Sequence, residues 1–206
     1  MKRIGNIKIG VKNGNVAAEG AQLIVVPEFN DCASYNSVGY AIQVAGMGAG
    51  LEAYDKAVQG NVFSYGDVLI TESGKPGVKL AHVATAGAKP DAQFGVVLRA
   101  MYQVLVLANA FGIESIAVPE IGTGVIGHLT PEQSAQAIFA AIAKFAERFP
   151  ENIIQEVILV VYRGSTSPAE TVLLNHSYND IKSIDDMKGK KEFNMAEWLK
   201  EMGFLG

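Results

Sequence analysis

Residues 114–131, ESIAVPEIGTGVIGHLTP, constrain the fold more than any other stretch of the chain. Ser115 to Pro119 is a short apolar run with β propensity, and Gly122, Gly124 and Gly127 follow it. Thr130-Pro131-Glu132 then opens a long segment of helical apolar periodicity, with an N-cap residue and a first-turn proline in place. The order is strand, glycine turn, helix. In such a turn backbone N–H groups converge with no Cβ in the way, and converging N–H groups hold anions such as a diphosphate. The competing reading is an ordinary tight turn, because G-x-G-x-x-G alone is a weak signal.

On either side the chain alternates strand and helix patterns. Ile7, Ile9 and Val11 alternate with Lys8, Gly10 and Lys12, a half-buried strand closed by Asn13-Gly14. Leu23-Ile24-Val25-Val26, ended by Pro27, and Val157-Ile158-Leu159-Val160-Val161 are unbroken apolar runs, the mark of strands covered on both faces. Residues 67–71 and 79–85 read as two strands joined through Gly74-Lys75-Pro76-Gly77. Helical spacing predicts helices over 51–58, over 96–111 up to Gly112, and over 131–149. The alternation implies an α/β sheet with helices on both faces. Gly39, Gly46, Gly48 and Gly50 imply close backbone approach, either to a ligand or to a neighbouring element.

Past Pro168 the character changes. Residues 169–175 read as a short helix, 183–192 are charged, and 195–202 read as a small amphipathic terminal helix with Trp198 and Leu199 on one side. We expect one domain over 1–175 and a C-terminal extension over 176–206 that packs on the domain or meets a partner.

Composition bounds the functions. With 206 residues, 49% apolar and 18% charged, the chain can bury a substantial core. A formal net charge of -4 gives no footprint for duplex nucleic acid. Met1-Lys2-Arg3 leads into Ile4-Gly5-Asn6 rather than an apolar signal core, and no segment reads as a membrane span, so a cytoplasmic protein without membrane contact is expected. Cys32 is the only cysteine, which excludes an internal disulfide, argues against a cysteine-based metal site, and suggests a small buried hydrophobe. No metal or cofactor is expected.

Three phrases occur in register: GDVLITESGKPGVKLAHVAT at 66–85, IAVPEIGTGVIGHLTPEQSAQAIFAAIAKF at 116–145, and EVILVVY at 156–162. Together they resemble the macro domain family, whose phrase close to S-I-A-F-P-x-I-x-T-G-x-x-G is matched by residues 115–127. The resemblance covers about residues 5–165. It implies a three-layer α/β/α sandwich with a mixed central sheet, and a small-molecule nucleotide partner of the ADP-ribose kind. It further implies that Gly122, Thr123, Gly124, Val125, Ile126 and Gly127 wrap the diphosphate and distal ribose. The facing loop would be 38–46, entered through Ser37, Val38 and Gly39, and Tyr162 would stack on adenine unless it is simply an end-of-strand core residue.

The departures from the family pattern bear on activity. Where the family commonly has G-D-I, this chain has Gly14-Asn15-Val16, so Asn15 would accept from the adenine amino group as a neutral amide. The usual N-A-A-N is replaced by Val26-Pro27-Glu28-Phe29-Asn30, leaving Asn30 to stand for the second Asn. The G-G-V-D-x-A-I-H loop of hydrolysing relatives becomes residues 36–43, with Gly39 for its Asp and Gln43 for its His. The acid/base residues of the hydrolytic branches are thus missing. The reading that follows is a binding module for ADP-ribose or a related nucleoside diphosphate, without turnover. Two alternatives stand beside it. One is a hydrolase of ADP-ribosyl groups or phosphates that uses Glu28, Asp31 or Glu120; the other is an assembly protein with a vestigial pocket, for which a homo-oligomer stays open. His82, in an apolar strand, reads as a hydrogen-bonded core residue, and His128 as the cap of a turn or a site residue. A dehydrogenase fits poorly, because Thr130-Pro131 starts the helix after the glycine turn rather than inside it.

Overall fold

The computed structural model describes residues 2–33, 37–59, 61, 63–85, 90–124 and 128–181. Seven strands form one sheet: β1 (Lys2–Ile4), β2 (Ile7–Asn13), β3 (Leu23–Glu28), β4 (Val68–Glu72), β5 (Lys79–Ala84), β6 (Ser115–Pro119) and β7 (Glu156–Val161), in the order β1-β2-β7-β6-β3-β5-β4. The central five, β2, β7, β6, β3 and β5, are mutually parallel. The edge strands β1 and β4 are antiparallel to their neighbours. Both belong to hairpins, which need only a short turn, whereas each parallel pairing needs a crossover.

The apolar runs alternate between two layers, as the period of a strand requires. Leu23, Val25, Ile116, Val118, Val157 and Leu159 face a cluster built with α3 (Pro90–Ala110), α4 (Pro131–Arg148) and α5 (Ser167–Asn175). Ile24, Val26, Leu80, Ala117, Ile158 and Val160 face the opposite cluster, built with α1 (Ser37–Val44) and α2 (Gly48–Val58). The result is the three-layer α/β/α sandwich with a mixed sheet.

The start of α4 is written locally. Thr130 accepts from the Gln133 amide, the Gln133 side chain accepts from the Thr130 amide, and Pro131 occupies the first turn. Its buried face alternates small and large residues, with Ala135, Ala137, Ala140 and Ala141 among Ile138, Phe139, Ile142 and Phe145. The small residues let α4 lie close against α3.

Several expectations are corrected. The strand β1 and the helical form of 37–44 carry little local signal, and α3 begins at Pro90, earlier than the apolar spacing indicates, because the buried amide Gln93 interrupts its stripe. Within α3, 93–110 is long and apolar enough to cross a membrane, contrary to the reading of no such segment. Most of that window is buried, since α3 is covered by the sheet on one side and α4 on the other. Cys32 is exposed rather than buried, because it lies on the loop beyond β3. At Gly50 a Cβ would come within 2.5 Å of Leu80 Cδ1, so this glycine serves the packing of α2 on β5.

After α5 a 3-10 turn (Ser177–Asp180) turns Tyr178 inward, its ring edge-on to Phe139, and Ile181 packs on the same cluster. The packed body thus continues past Asn175 to Ile181. The expected terminal helix over 195–202 lies outside the described residues.

Candidate functional site

Five parallel strands place five carboxyl ends on one edge of the sheet. Beyond β3 the chain passes to α1 and α2 on one face; beyond β6 it passes to α4 on the other. Because β3 and β6 are neighbours, their departing segments split apart and leave a crevice between them. This is a topological switch point, where open α/β sheets receive ligands.

The β6 side of the crevice is the glycine turn. Gly122 has φ +82, a left-handed conformation, and a Cβ there would lie 3.2 Å from both Gln93 Nε2 and Leu129 Cδ1. Its carbonyl accepts from the Leu129 amide at 3.0 Å, which closes the base of the turn. The Thr123 hydroxyl donates to the Glu120 carbonyl at 3.2 Å. Gly124 is exposed, and a Cβ there would meet nothing within 4 Å. Val125, Ile126 and Gly127 lie outside the described residues, and His128 is exposed. Glu120 is half-buried at the strand end, and burial pushes its carboxyl above the usual range.

The β3 side begins with a buried polar chain. Glu28 and His82 are both fully buried, with Nδ1 of the ring 2.8 Å from Oε1 of the carboxylate. His82 Nε2 is 2.8 Å from the Thr71 hydroxyl, and the ring stacks on Tyr54 at 4.7 Å. A carboxylate neighbour favours a charged imidazole, but burial outweighs it and pulls His82 down to about 3, with the Gly50 carbonyl opposing. The ring is therefore neutral: Nδ1–H donates to Glu28, and Nε2 accepts from Thr71. The single Thr71 hydrogen goes to the ring rather than to the Gly50 carbonyl, which is 3.4 Å away. His82 is a core residue, and Glu28 is committed to it.

Asn30 follows on the loop, half-buried, with its carbonyl accepting from the Phe63 amide at 3.1 Å. Ser37, Val38 and Gly39 form the first turn of α1, so residues 37–44, expected within a loop over 38–46, are a helix. Ser37 is exposed, Val38 half-buried and Gly39 buried.

The β2 and β7 ends supply the last group. Asn15 accepts from the Ala17 amide at 3.0 Å and caps a 3-10 turn (Val16–Ala18). Tyr162 is 54% exposed, which removes the core-residue reading, and the Arg163 guanidinium lies 5.0 Å from its ring centre. Arg163 itself has φ +53.

Gln93 escaped sequence reasoning. Its amide donates to the Thr85 carbonyl at 2.9 Å while its Nε2 backs Gly122, so it ties the end of β5 to the glycine turn. The one signal was a polar residue on an otherwise apolar helix face.

A mixed seven-stranded sheet between two helical layers, with its switch point between β3 and β6, defines a three-layer α/β/α domain. A family profile for the Macro domain matches residues 31–138, more than half of the chain. The chain belongs to the macro domain family. An uncharacterized protein of Thermotoga maritima is 28% identical over 157 residues, which is 73% of this chain and 26% of that protein. The chain thus spans about a quarter of the length of that relative. Among solved structures, a mutant Oceanobacillus iheyensis macrodomain with ADPR superposes with a TM-score of 0.71 at 22% identity, covering 87% of this chain and 98% of that one. The Trypanosoma brucei macrodomain in complex with ADP-ribose gives 0.65 at 20% identity, covering 79% and 68%. At these identities the likeness is one of fold.

Proposed function

We propose that this domain binds ADP-ribose or a related nucleoside diphosphate, without turnover. The observation that carries the reading is the crevice between β3 and β6, with the left-handed Gly122 turn on one side and the first turn of α1 on the other. The relatives solved with ADPR or ADP-ribose support the choice of ligand. Tyr162, exposed at the end of β7, offers a ring face for the base. Titration calorimetry with ADP-ribose tests the reading: saturable heat is expected, and no heat at millimolar ADP-ribose, ADP or AMP overturns it.

One observation favours a hydrolytic reading as the second. Of the three candidate carboxylates, Glu28 is paired to His82 and Asp31 is exposed, whereas Glu120 is half-buried at the crevice with its carboxyl pushed up by burial, the direction that favours an acid or base role. Release of ADP-ribose from an ADP-ribosylated protein, abolished in Glu120→Gln, would establish it; no release by the wild type excludes it.

A further inference from the structure

Between β3 and α1 the chain runs through Phe29, Asn30, Asp31, Cys32 and Ala33. Burial holds this segment only at its end, where Ala33 is buried; Asp31 and Cys32 are exposed and Phe29 and Asn30 half-buried. A loop of that kind is ordinarily satisfied by water. Here its backbone is instead bonded at three places by α2 and the chain just beyond it. The Tyr54 hydroxyl donates to the Phe29 carbonyl at 2.7 Å. The Phe63 amide donates to the Asn30 carbonyl at 3.1 Å. Asp55 Oδ1 accepts from the Ala33 amide at 2.6 Å, a charge-assisted bond.

The anchoring group is itself anchored. The Tyr54 ring stacks on His82, which Glu28 and Thr71 hold from either side, and burial keeps the Tyr54 hydroxyl protonated and able to donate. Rigid support thus passes from the sheet through α2 into a segment that is itself buried only at Ala33. Such support sets the shape of a binding loop before ligand arrives, so that ordering it does not count against affinity.

We propose that α2 clamps residues 29–33 in the ligand-ready shape, and that Asp55 is a positioning residue for the nucleotide site, acting through the Ala33 amide. This rests on the nucleotide-binding reading. Asp55 reaches no ligand in this proposal; it fixes the segment that carries Asn30 and feeds the first turn of α1.

The test compares Asp55→Ala and Asp55→Asn with the wild type by ADP-ribose calorimetry and by hydrogen exchange at the Ala33 amide. Asp55→Ala is expected to bind about tenfold more weakly, the scale of one lost charge-assisted bond, and to exchange faster at Ala33 with β3 protection unchanged. Asp55→Asn keeps an oxygen that can accept from Ala33 and is expected to return to within about threefold of the wild type. Equal affinity of Asp55→Ala and wild type overturns the proposal, and so does equal weakness of the Ala and Asn variants. If Asp55→Ala does not fold, Asp55→Leu, which also has no accepting atom, replaces it with the same expectations. A wild type that binds no nucleotide defeats the binding reading instead, while exchange at Ala33 still reports whether the clamp exists.

Discussion

Acid should destabilise this protein through His82, and the size of the effect can be worked out. The folded protein keeps the ring neutral down to about 3, whereas the unfolded chain protonates it near the ordinary value of 6.5. Between those values unfolding takes up a proton, so the stabilising contribution is complete above 6.5 and drains away as pH falls toward 3. Each pH unit below the unfolded value removes on the order of 1 kcal/mol, or roughly 3 kcal/mol by about pH 4.5. That is a large share of the typical stability of about 5–15 kcal/mol. Carboxylates also titrate in this range, and a partner variant cancels those that do not touch His82. His82→Asn retains an N–H on the side that faces Glu28 but has no titrating ring. Urea unfolding of both proteins near pH 7.5 and near pH 4.5 should show the stability gap between them narrowing by about 2–3 kcal/mol in acid. A gap unchanged to within about 0.5 kcal/mol, or an imidazole that titrates near its ordinary value in NMR spectra of the folded protein, would refute a neutral buried His82.

Three further outcomes are expected. Thr130→Ala removes the capping box of α4 and should cost about 1 kcal/mol in urea unfolding, with nucleotide affinity little changed. Gly122→Ala forces a side chain into a left-handed site 3.2 Å from Gln93 and Leu129, and should cost about 1–3 kcal/mol together with a measurable loss of ADP-ribose affinity in calorimetry. Tyr162→Ala removes the exposed ring at the end of β7; on a stacking scale of about 1–3 kcal/mol, ADP-ribose should bind at least about fivefold more weakly with the melting temperature unmoved.

The comparison of sequence with structure turns on the distance over which each feature is encoded. Leu23 to Val26, Ile116 to Pro119 and Val157 to Val161 announce buried strands because every residue in them is apolar, and Thr130-Pro131 announces the start of α4 because cap and first turn are adjacent in the chain. These are properties of neighbours two to four residues apart, and the α/β class follows from them. The family phrases carried the layered fold and the glycine turn. By contrast, β1 holds only three residues and reads as a strand only once β2 lies beside it. Segment 37–44 is helical where the family resemblance implied a loop over 38–46. Glu28 and His82 stand 54 residues apart, and nothing in either neighbourhood says that they meet.

The sequence by itself therefore determined the central strands, the start of α4 and the glycine turn before it, since periodicity and capping are local. Only the tertiary structure decided that Glu28 belongs to His82, that Tyr162 is exposed, and that α2 holds the backbone of residues 29–33. Burial and pairing of polar groups depend on which strands become neighbours, and that order arises from the packing of the whole chain.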